Sequence, residues 1–142
     1  MKQNYFNITL VLLIIVFLVL GCGDAKNAKV AGEIAIADFH QHFNNGQIGE
    51  IYNTSHSNFR TTTPVEDFNK LMSAVSRKLG KVKSTANQDW NIKVFNLITS
   101  VVMVQNTEFE QGKGTETFTF EMDGEKAVLL GYYINSSDLI AK

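Results

Sequence analysis

The 142-residue chain has one cysteine, one proline, one tryptophan and no cluster of basic residues. A single thiol closes no internal disulfide and supplies no thiolate metal site alone. Basic and acidic residues nearly balance, 13 against 14. Without a run of Lys or Arg there is no electrostatic footprint for nucleic acid. No internal repeat divides the chain, no G-x-S-x-G turn presents a nucleophile, and QGKG at 111–114 lacks the spacing of a phosphate loop. What remains, 44% hydrophobic and 19% charged, excludes disorder and fits one globular domain.

The apolar run that is present is short. Ile8 to Leu20 is interrupted only by Thr9 and follows Lys2 near the start. As a helix it reaches about 20 Å, below the roughly 30 Å of a hydrocarbon core. A positively charged start, a short apolar run and a small residue, Gly21, read as a signal peptide over residues 1–21. Val19-Leu20-Gly21-Cys22 resembles the lipobox of bacterial lipoproteins. That resemblance implies cleavage before Cys22, a diacylglyceryl group on its sulfur, and acylation of the new amino group. Two or more fatty chains give stable anchoring where one does not. Cys22 is thus expected as a lipidation site on the membrane, placing the chain in the cell envelope. Gly23 separates Asp24 from the cysteine, which points to the periplasmic face of the outer membrane if the source has two membranes. Residues 22–31 read as a tether, and 32–142 as the domain.

Within the domain, Ile36, Phe39 and Phe43 mark the apolar stripe of a helix that Asn44-Asn45-Gly46 ends. Ile48, Ile51 and Tyr52 predict a shorter helical turn. NTSHSNFRTTT, residues 53–63, reads as a loop with a short strand near Phe59. Thr63-Pro64-Val65-Glu66 signals a helix start with Thr63 as the cap. The wide apolar face of Phe68, Leu71, Met72, Val75 and Leu79 continues to Gly80. Beyond Gly80 the period becomes two. Trp90, Ile92 and Val94 alternate with polar residues, Ile98 to Phe109 is rich in β-branched residues, and Phe118, Phe120 and Met122 alternate with Thr and Glu. Asp123-Gly124 predicts a tight hairpin. Lys126 to Ile134 reads as a strand apolar on both faces: Val128, Leu130, Tyr132 and Ile134 on one, Ala127, Leu129 and Tyr133 on the other. Gly131 inside it suggests a bulge or a close backbone approach. The fold class is α+β: N-terminal helices packed on a curved four-stranded antiparallel meander.

This order resembles the cystatin-like fold in its nuclear transport factor 2-like form. The pieces Gly46, Ser57 with Phe59-Arg60, Leu79-Gly80, Phe109-Glu110 and Gly131-Tyr132-Tyr133-Ile134 fall in the order of a small envelope family, domain of unknown function 4019. The resemblance spans residues 33 to 137 and implies a fold and an envelope location. It brings no catalytic residues. The tryptophans that the family often carries near its first two helices are missing.

Candidate chemistry is sparse. His40 and His42 are two apart on a helix and point away from each other, so with His56 in a loop they predict no metal site. Asp38 is expected on an exposed helix face. Ser55, His56 and Ser57 are loop neighbours, not a triad. The strands facing the sheet's concave side show no interior acid between Ile98 and Val104. The expectation is a non-catalytic ligand-binding or interaction module without cofactor. Tyr132 would line an apolar pocket for a small ligand, and Leu129 with Tyr133 would form an open sheet face for an envelope protein or a second copy. The alternative is a small isomerase- or dehydratase-type enzyme, recognisable by a buried acid or histidine beside a tyrosine in an open cavity.

Overall fold

A computed structural model of the chain describes residues 21–141, with side chains from Ala25 to Ile140. Helices come first: α1 Gly21–Asn44, α2 Ile48–Thr54, α3 Ser57–Thr62 and α4 Val65–Leu79. Four strands follow, β1 Val82–Phe95, β2 Ile98–Phe109, β3 Gly112–Asp123 and β4 Lys126–Asn135, and a closing turn, α5 Ser137–Ala141. The strands form one open antiparallel sheet in sequence order, each paired with the next. The expected α+β class and meander are therefore present.

The core lies between that sheet and the helices. β2 and β3 alternate strictly, so Val101, Met103 and Phe109 share one face with Phe118 and Phe120. α1 packs on that face against all four strands, presenting Ile36, Phe39 and Phe43. A Cβ at Gly32 would collide with the Met103 sulfur, so a glycine there lets α1 lie close on the sheet. α4 buries Phe68, Met72, Val75 and Leu79, each worth about 1.5–3 kcal/mol in area removed from water. Gly80 ends α4 with φ +79, as expected of a C-terminal glycine.

Four local readings change. α1 runs back to Gly21, through the stretch read as a tether. Ala25, Lys26, Ala28 and Lys29 are strong helix formers, and Ala28 is buried. Residues 57–62 are a helix, not a loop with a strand. His56 caps it, its Nδ1 accepting from the Asn58 N–H at 3.1 Å, and Phe59 turns into the core. Thr63 closes α3 with its own N–H on Phe59 O at 2.8 Å, which leaves Pro64 as the residue before α4. α5 was not foreseen; Asp138 accepts from Lys113 N at 3.0 Å, and Lys78 donates to Leu139 O at 2.8 Å.

The bulge lies beside Gly131 as expected. Thr119 pairs with Gly131 and Phe120 with Leu129, so Leu130 is the extra residue. This insertion resets the alternation of β4. Leu129, Tyr132 and Ile134 all point to the core side, while Tyr133 points away. The two-faced reading that grouped Leu129 with Tyr133 is corrected accordingly.

Candidate functional site

Parity along the strands decides which polar residues enter the core. Glu116 is two residues before Phe118 and four before Phe120, so it shares their face and is 1% exposed. Thr107 of β2 and Tyr132 of β4 lie on the same side, and His40 reaches down from α1. The Glu116 carboxylate collects all three. Its Oε2 accepts from His40 Nε2 at 2.8 Å and from the Thr107 hydroxyl, and its Oε1 accepts from the Tyr132 hydroxyl at 2.7 Å. The interior acid that the sequence reading did not find is thus on β3. Ile98 to Val104, which holds no acid, belongs to β2.

An isolated carboxylate in this setting would be expensive. Three donors offset the lost hydration, and charge-assisted bonds are the stronger kind. The surroundings are aromatic: Tyr132 stacks on Phe39 with centroids 4.9 Å apart, and His40 meets Phe118 edge-on at 5.7 Å. Burial holds the Tyr132 phenol well above its ordinary value near 10, and the Glu116 charge raises it further. The phenol therefore stays a donor. Thr85 extends the network outward, its hydroxyl 3.2 Å from that of Thr107.

Chemically this is a closed set. Both carboxylate oxygens are engaged. The nearby cavity, bordered by Phe39, His42, Phe120 and Leu129, measures about 40 Å³. Small-molecule pockets start near 300 Å³, so this cavity is too small to be the expected apolar-ligand pocket. Tyr132, expected to line it, instead bonds Glu116. Leu129 is buried and uses its carbonyl to accept from His56 N at 2.8 Å, which removes it from any open face. Tyr133 alone of the three is exposed, at 63%.

The remaining candidates separate. His42 Nδ1 lies 2.9 Å from Asp38 O one helical turn away, Asp38 is exposed, and His56 Nε2 is 3.5 Å from Glu121. Among the described residues no group of three or more His, Cys, Asp or Glu is placed to hold a metal. No helix among them is long and apolar enough to cross a membrane. Residues 1–20, and the side chain of Cys22, lie outside the described residues.

A ligand-sized hollow of about 750 Å³ does exist at the end of the sheet where β1 to β3 meet the start of α5. Ser84, Asn106, Thr115, Asn135 and Ser137 give it hydroxyl and amide groups. Its ionisable side chains, Glu108 and Lys113, are exposed cross-strand neighbours.

No family model and no curated protein matches this chain. Function must be argued from its own residues.

Proposed function

We propose that the chain is a lipid-anchored envelope protein whose domain, of cystatin-like form, binds a polar ligand or partner and does not catalyse. The observation that carries the binding half is the position of the open space. The group best suited to proton transfer, Glu116, is saturated in the core, whereas the ligand-sized hollow is lined by hydroxyls and amides. Such a lining suits a hydroxyl-rich or peptide-like ligand better than an apolar one. The anchor half rests on Val19-Leu20-Gly21-Cys22 after a short apolar run. The cystatin-like form rests on helices followed by a four-stranded antiparallel meander.

Labelled fatty acid supplied to cells making the full chain tests the anchor. We expect incorporation and membrane fractionation in the wild type and loss of both in Cys22→Ser. A precursor that stays unlabelled in the cytosol overturns the reading. A photo-reactive residue at Asn106 tests the hollow: a discrete adduct supports it, and reaction with solvent alone rejects it.

A second reading, a small enzyme, draws on the buried acid, histidine and tyrosine. It requires that Glu116 be released from its partners when substrate binds. Turnover abolished by Glu116→Gln in a folded protein would establish it.

A further inference from the structure

The tip of the β1–β2 hairpin reads Val94-Phe95-Asn96-Leu97-Ile98. Val94 is 67% exposed, Phe95 76% and Leu97 98%. Four apolar side chains in five residues form a contiguous greasy point, where hairpin turns are ordinarily polar. The backbone adds a second anomaly. Asn96 and Leu97 have φ +48 and +65, the left-handed pair of a tight primed turn. The second place in such a turn favours glycine, because a Cβ there is strained. A leucine at that position is unfavourable in backbone and in solvation alike, and none of the described residues covers it.

The direction of the tip suggests what does. α1 runs antiparallel to β1: Asn44 bonds Val82 in both directions, and Lys29 sits over the Trp90 ring at 5.9 Å. From Trp90 the strand continues roughly 20 Å to the turn. From Lys29, α1 runs back to Gly21 about 12 Å the same way. The hairpin tip and the start of α1 therefore lie at one end of the molecule. Cys22, the expected lipidation site, lies in the first turn of α1.

We infer that the 94–98 tip dips into the lipid bilayer to which the N-terminal segment is anchored, giving the domain a second point of membrane contact. This rests on the membrane-anchor reading given above. The contact is shallow. The adjoining β3–β4 turn at the same level carries Asp123, Glu125 and Lys126, and their charges belong among headgroups rather than acyl chains. Lys93, exposed on β1, directly precedes the tip. With two contacts the domain is held at a fixed tilt, and the polar hollow, bordered by Ser84 and Asn106 at the other end of β1 and β2, faces away from the membrane.

The test uses the full chain reconstituted in phosphatidylcholine vesicles with brominated acyl chains. Phe95→Trp in a Trp90→Phe background places the reporter at the tip, and Asn45→Trp in the same background places it at the far end of α1. Flotation with the vesicles reports the anchor; loss of fluorescence to bromine reports the tip. Supporting results are flotation of both chains, a blue-shifted tip reporter quenched by brominated lipid, and an Asn45 reporter that is not. If both float and the tip reporter responds only to aqueous acrylamide, the tip contact is overturned while the anchor stands. A blue shift without bromine quenching that grows with protein concentration means a second copy covers the tip, and also overturns it. Failure to float overturns the anchor and this inference together.

Discussion

Glu116 and Leu97 are both out of place by solvent preference, in opposite senses. One is a carboxylate with 1% of its surface exposed; the other is an aliphatic side chain with 98% exposed. Glu116 is compensated from within, by donors from α1, β2 and β4 that the fold brings to its two oxygens. Leu97 receives nothing comparable, and its backbone is strained besides. An internal misfit with its own partners is a structural pin; an external misfit without them points to a surface beyond the chain. The two regions make opposite predictions under mutation, and the largest effect belongs to the core.

Glu116→Ala leaves the His40 ring N–H and the Thr107 and Tyr132 hydroxyls without their acceptor in a tightly packed interior. Each buried donor left without an acceptor costs about 1–3 kcal/mol, partly offset by no longer having to bury a carboxylate. Urea denaturation of the folded chain should show this as a lower midpoint with an unchanged slope. A loss below 1 kcal/mol would mean that water reaches the site and that the set is not closed. Substituting the apolar, shape-matched Glu116→Met should be milder than alanine, because it fills the space even though it leaves the same donors unpaired.

The signals for this cluster are present in the sequence. Glu116 has the same parity as Phe118 and Phe120, and Thr107 that of Phe109. His40 stands four after Ile36 and three before Phe43, on the stripe that identified the first helix. The alternation that locates the core thus also locates its polar members. Other features had no such signal. The bulge at Leu130 resets β4 after a glycine that marks the irregularity but not its consequence for Leu129 and Tyr133. The helix at 57–62 depends on a histidine cap and on Arg60 donating to the Asn53 and Ser55 carbonyls, contacts made only once the chain has folded. The frame of α4 and the four strands was legible because its pattern is local and repeated; the β3–β4 turn falls one residue later than Asp123-Gly124 signals, with Gly124 and Glu125 as its loop between the paired Asp123 and Lys126.

A smaller effect, with a pH signature, comes from Tyr132. Tyr132→Phe keeps the ring against Phe39 and removes one charge-assisted bond to Glu116, costing about 1.5–3 kcal/mol at neutral pH. The sign above neutrality follows from the raised phenol. The unfolded chain ionises near pH 10, the folded one only well above it. The contribution is therefore full below pH 10 and fades as pH climbs toward the folded value. Wild type should lose stability steeply above pH 10, and the phenylalanine variant less steeply, so that the two curves converge. Parallel curves would show that the phenol is not held neutral by the core.

The smallest expected effect has the opposite sign. Leu97→Gly frees a left-handed turn position from its Cβ, which is worth about 1–2 kcal/mol to the folded state. Part of that returns as extra entropy in the unfolded chain, since glycine there has more conformations to lose. The net gain should be about 0.5–1 kcal/mol, read as a rise of a few degrees in Tm. Solvation reinforces it, because a fully exposed leucine contributes no burial that the glycine would forfeit. A stabilising substitution that weakens contact with lipid would mean that the tip is kept for something other than folding. A destabilising one would show that Leu97 supports the hairpin, which would dissolve the contrast with Glu116 and leave both residues as parts of the scaffold.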